Sequence, residues 1–80
     1  MKLPIVRKLA DEYSLSELHD LEEKIINDVP IDINDLGDDE GEVLTHVLAA
    51  IYIKNIMQQD GLELSVALRQ YTSRVRDTLS

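Results

Sequence analysis

Between Val43 and Met57 the chain reads VLTHVLAAIYIKNIM, and its apolar residues refuse to fall on one stripe. Val43, Leu44, Val47, Leu48, Ala49, Ala50, Ile51, Tyr52, Ile53, Ile56 and Met57 spread around nearly the whole circumference of a helix with 3.6 residues per turn. A helix that is apolar all round has to be buried on most sides. Eighty residues leave little body to surround it, because small domains bury a smaller share of their surface. This segment is therefore expected at the centre of the fold. Its surplus apolar surface points to a partner, most economically a second copy of the chain.

The flanking segments read as ordinary amphipathic helices. Pro4 fits the first turn of a helix, where its missing N–H costs nothing, and Leu3, Ile5, Val6, Leu9 and Ala10 make an apolar face running to about Tyr13. Ser14 and Glu17 form the S-x-x-E pattern of a capping box, followed by the clean stripe Leu18, Leu21, Ile25. Asn27 and Asp28 before Pro30 end that helix. Residues 29–41, VPIDINDLGDDEG, form a connector in which Gly37 and Gly41 mark turns among acids. The third helix starts near Asp39 or Glu40, whose charges suit a helix N-terminus, and Gly61 closes it as a left-handed cap. Leu64, Ala67, Leu68, Tyr71, Val75 and Leu79 give the last helix its stripe. The expected fold is all-α, a single domain over residues 1–80, with helices at about 3–13, 15–28, 40–60 and 63–78. Short links at 13–15 and 60–63 make those neighbours antiparallel or steeply crossed.

Charge narrows the function classes. Sixteen acids against eight basic residues give a net charge of -8, which disfavours nucleic acid as a partner, since that affinity rests on Lys and Arg. Thirteen of the acids lie in residues 11–42 against Lys24 alone, so the connector is expected to stay solvated and mobile over 34–40. There is no cysteine, hence no disulfide, thiolate chemistry or Cys-ligated metal. No apolar run reaches the roughly 20 residues that cross a bilayer, and charge comes too early in the N-terminal stretch for a signal peptide. No membrane association is expected, and the cytoplasm is the expected compartment.

Candidate chemistry is sparse. Setting Asp32 as the first ligand of a calcium loop puts Leu36 at the fifth position and Val43 at the twelfth, where a bidentate Glu is required, so the EF-hand pattern fails. Glu42 and His46 stand at i, i+4 on the third helix and are the weak metal candidates, but di-iron bundles need a Glu-x-x-His pair twice over. His19 beside Asp20 and Glu23 shows spacings any surface helix has. No serine sits in a nucleophile elbow and no glycine spacing fits a phosphate loop. Arg69, Arg74 and Arg76 could meet an anion or an acidic protein face, but a solvated helix face, partly paired with the chain's own acids, is the favoured reading. Neither an enzyme nor a bound cofactor is expected.

Gly41-Glu42-x-Leu44-Thr45, followed by Ala50, Met57, Gly61, Ala67-Leu68, Tyr71 and Arg74-Val75, together with the opening Met1-Lys2-Leu3-Pro4, resembles an uncharacterised family of short Bacteroidetes proteins. That family is a domain of unknown function, so the resemblance implies no activity and no site residues. The residues themselves point to a small interaction or adaptor module, a homodimer joined through its third and fourth helices that also docks on another cytoplasmic protein. The interface candidates are Leu48, Ile51, Tyr52, Ile53, Ile56 and Tyr71. The alternative is a metal- or anion-responsive regulator using Glu42 and His46 or the acidic connector.

Overall fold

A computed structural model describes residues 1–33 and 35–79, with side chains described as far as Arg76. It contains four helices, α1 (Leu3–Glu12), α2 (Leu15–Ile26), α3 (Glu40–Asp60) and α4 (Leu64–Leu79), and no strand among the described residues. The all-α expectation holds, and α3 is the element against which α1, α2 and α4 all pack.

Local signals set most of the helix ends. The capping box forms as its pattern predicts: the Glu17 N–H donates to Ser14 Oγ at 3.1 Å and the Ser14 N–H to Glu17 Oε1 at 2.9 Å. At the start of α3, Asp39 Oδ1 accepts the Glu42 N–H at 2.8 Å. Gly61 ends α3 with φ 64°, and the Leu62 N–H closes onto the Met57 carbonyl. The end of α2 falls at Ile26, two residues short of the sequence expectation. Asp28 adopts φ 57°, and the Asp28 and Val29 N–H groups bond to the Ile25 and Lys24 carbonyls, a left-handed stop without glycine.

Tertiary contacts set the remaining end and the packing directions. The C-terminus of α1 carries no basic residue of its own, and Lys54 of α3 supplies one, its Nζ donating to the Ala10 carbonyl at 3.0 Å. At the other end of α1 the Lys2 N–H donates to His46 Nε2 at 2.9 Å. The two contacts advance together along both helices, so α1 and α3 run parallel. The start of α2 lies beside the C-terminal half of α3, where Ser14 and Leu15 line a groove with Lys54, Met57 and Gln58. Tyr71 and Arg74 of α4 reach back to Tyr52, making α4 antiparallel to α3.

The core joins Val6, Leu9 and Ala10 of α1 to Leu18 and Ile25 of α2, to Val43, Val47, Ala50 and Ile53 of α3, and to Ala67 of α4. Leu36 belongs to it as well, so part of the connector packs. Leu36 is 6% exposed, Ile31 and Ile33 are half-buried, and the turn around Leu36 is closed by its N–H bonding to the Ile33 carbonyl. Its next residue, Gly37, lets the connector lie close against α3: a Cβ there would fall 3.1 Å from Val43 Cγ2. Of the 34–40 segment, residue 34 lies outside the described residues.

Candidate interaction face on the central helix

At about 100° per residue, the contacts of α3 assign its sides. His46 and Lys54 meet α1, the side carrying Gln58 meets α2, and the edge at Tyr52 meets α4. On the side opposite α1, Leu48 is exposed and α4 reaches only as far as Tyr52 among the described residues. Gly41, Thr45, Leu48, Tyr52, Asn55 and Gln59 fall there, within a wedge about 80° wide. Their spacing alternates four and three residues, the repeat of a coiled-coil seam.

None of these six residues is charged, although Arg74 of α4 reaches Tyr52 among them. Between Glu40 and Asp60 the exposed residues of α3 are Gly41, Thr45, Leu48, Asn55, Gln58 and Gln59. Elsewhere charge is dense: α2 exposes Glu17, Asp20, Glu23 and Lys24, and α4 exposes Arg69, Arg74 and Arg76. Leu48 is 45% exposed, in the middle of the seam. Next to it, the Tyr52 and Tyr71 rings meet at 5.7 Å between centroids with planes inclined by 53°. Arg74 donates to Tyr52 Oη and places its guanidinium 5.8 Å from the Tyr52 ring centroid. The Tyr71 hydroxyl donates to Met1 Sδ at 3.7 Å, and burial first, then the neighbouring Tyr52, pushes its pKa above the ordinary phenol value.

The six interface candidates therefore divide. Ile51 (8% exposed) and Ile53 (0%) are enclosed within one chain and have no area to offer a partner. Leu48 is exposed, and Tyr52, Ile56 and Tyr71 are half-buried. The arginines divide too. Arg69 and Arg76, seven residues apart, share one side of α4, whereas Arg74 is turned about 140° away from Arg69 towards Tyr52. They do not form one anion site.

The Glu42 and His46 pair has a structural occupation. Lys2 N–H is a donor, so His46 Nε2 is its acceptor and the ring proton sits on Nδ1, which donates to the Leu36 carbonyl at 2.7 Å. His46 is fully buried, and both nitrogens are engaged by backbone. Glu42 Oε1 accepts the Asp38 N–H at 2.9 Å and lies 3.8 Å from Lys2 Nζ, which also pairs with Asp38 at 3.1 Å. The Asp38 hydrogen bond and the nearby Asp38 and Glu42 charges raise the Lys2 pKa. Binding a metal through His46 would require breaking one of its backbone bonds, and no group of three or more His, Asp or Glu side chains converges among the described residues. His19 pairs only with Glu22, at 3.4 Å on an exposed surface.

Sequence reasoning missed Lys2, Leu36 and Lys54 as fixing points. Leu36 did leave a signal, as the one large apolar residue between Ile33 and Val43. The open seam also left one, the uncharged 4–3 repeat hidden inside an apolar segment.

Among the described residues, no helix is long and apolar enough to cross a membrane. The chain belongs to a family of unknown function (DUF6952), whose model matches residues 1–80. No curated protein and no solved structure matches it.

Proposed function

We propose that the protein is a small cytoplasmic interaction module, not an enzyme, which self-associates as a homodimer through α3 and the adjoining edge of α4 and presents the paired body to another protein. The observation that carries this reading is the fourth side of α3. Three helices pack on its other sides, and the remaining one is centred on the exposed Leu48 with no charged side chain from α3 itself between Gly41 and Gln59. Isolated apolar residues on a surface need no explanation, but a run of uncharged α3 side chains from Gly41 to Gln59 on one side, in a chain that is 30% charged, supports this reading. A regulator built on Glu42 and His46 draws no comparable support, because both imidazole nitrogens hold backbone groups.

Sedimentation equilibrium at tens of micromolar tests the reading. The expected result is a species of twice 9.1 kDa that Leu48→Glu returns to a monomer, with the far-UV helical signal retained. A wild-type chain sedimenting at 9.1 kDa throughout that range would end it.

A further inference from the structure

The bonds that occupy His46 also make its ring answer to protons. Fully buried, it accepts the Lys2 N–H at Nε2 (2.9 Å) and donates from Nδ1 to the Leu36 carbonyl (2.7 Å). An imidazolium has two N–H donors and no acceptor. A second proton would have to enter at Nε2, where it would point at the Lys2 N–H, donor against donor. We propose that His46 is an acid-released latch: protonation of Nε2 frees the first turn of α1 and the Leu36 turn of the connector from α3. The closed state holds the ring neutral and the open state takes up a proton, so opening is favoured as pH falls.

The surroundings favour release. A charged ring left buried and unpaired costs far more than the neutral one. Glu42 stands one turn before His46, the spacing at which a carboxylate meets an imidazolium. It now accepts the Asp38 N–H, so drawing it to the ring loosens the connector further. The other charged groups at this end of α3 are the Lys2 ammonium on the α1 side, Asp38 on the connector, and the Met1 amino group next to Lys2 in the chain. From α4 the Tyr71 phenol reaches Met1, and the charged side chains of α2 pair on its own surface, His19 with Glu22 and Lys24 with Asp20. The Lys2–Asp38 ion pair is exposed, and such pairs hold weakly, so it does not keep the segment in place once the ring lets go. Release uncovers the Val43 end of α3, against which Gly37 lies.

Amide exchange reads the latch. The Ile5 and Val6 N–H groups bond to the Lys2 carbonyl, and the Leu36 N–H to that of Ile33, so these amides report on the two segments. The span from about pH 7 to about 5.5 lies above ordinary carboxylate titration and below that of amines, and histidine changes charge within it. Over that span their protection factors are expected to fall about ten-fold, within the ceiling of roughly thirty-fold that one proton sets. Protection in the middle of α3, at Ala50 and Ile51, should hold. His46→Gln should abolish the fall, because its amide oxygen takes the Lys2 N–H and its NH2 the Leu36 carbonyl without titrating. His19→Gln, which alters the other histidine, should leave the fall in place. Ring nitrogen shifts in the wild type cover the case of a glutamine chain that does not fold: Nε2 must gain its proton over the same span. Unchanged protection in the wild type, an equal fall in His46→Gln, or a ring that stays neutral while the amides loosen would each overturn the latch.

Discussion

His46 and Leu48 are two residues apart on one helix, and its two sides are built very differently. Around His46 everything is closed: the ring is fully buried, one nitrogen accepts from Lys2 and the other donates to Leu36, tying the start of α1 and the connector to α3. A buried polar group so completely paired specifies one arrangement of the chain around it. Around Leu48 the opposite holds, with an apolar side chain 45% exposed among uncharged residues of α3. The polar residue of the pair serves the fold, and the apolar one is what remains available for binding. Residue type alone would have suggested the reverse.

Truncation on the two sides is the hardest test of that contrast. Ile53→Ala removes a fully buried side chain and is expected to cost about 2–5 kcal/mol in denaturant unfolding. Leu48→Ala, measured at concentrations low enough to keep the chain monomeric, is expected to stay within about 0.5 kcal/mol, as surface changes do. Equal losses at the two positions would show that α3 has no open side. His46→Leu comes next. It leaves the Leu36 carbonyl without its donor and the Lys2 N–H without its acceptor, and a buried group left unsatisfied costs about 1–3 kcal/mol. Amide exchange at Lys2 should quicken in that variant; unchanged stability and exchange would remove the tie between α1 and the connector. Ser14→Ala, which takes away the cap of α2 far from either side, should cost about 1 kcal/mol and so calibrate the scale.

Most of the fold was legible because its signals are local. The Ser14–Glu17 box, Asp39 and Gly61 set helix ends through backbone groups within a few residues, and the apolar circumference of α3 marked it as central. The shortfall at Asp28 has a physical cause: a left-handed aspartate stops the helix before Pro30 can, and its sequence signature is faint beside glycine's. The ties made by Lys2, Leu36 and Lys54 join residues 10 to 44 positions apart, which no window on the sequence brings together. The open seam was half legible. An apolar surplus was readable on α3, but Ile51 and Ile53 were grouped with Leu48 and Tyr52 until the positions of α1, α2 and α4 separated buried sides from the free one.

High pH probes the edge of the open side with a smaller effect. The Tyr71 phenol is half-buried, and its pKa is raised above the ordinary 10.0 by burial and by Tyr52. A phenol that holds its proton more tightly when folded contributes stability that is fully present below 10.0 and is lost as pH rises through the raised value. Between 10.0 and the raised value the folded state binds more protons, so stability falls as pH rises. Lys2 acts in the same direction, because its raised pKa supports the ion pair with Asp38 until the ammonium itself is lost. Tyr71→Phe should flatten the first part of this alkaline loss, and a profile identical to wild type would detach the phenol from it.

Salt gives the smallest and most discriminating change, since it separates a neutral seam from charge-driven docking. Two copies carrying -8 each repel over distances comparable to the Debye length, about 10 Å at 0.1 M, while the seam itself holds no ion pair to be screened. Raising salt from 0.05 to 0.5 M (roughly 14 to 4 Å of screening length) is therefore expected to tighten the dimer by a few-fold. Docking between the acids of residues 32–40 and the exposed Arg69 and Arg76 of another copy would weaken over the same range, because its attraction is the part that salt removes. Sedimentation in the two buffers reads the sign. A dimer that loosens with salt would move the interface from the uncharged side of α3 to the acidic connector and the outer face of α4.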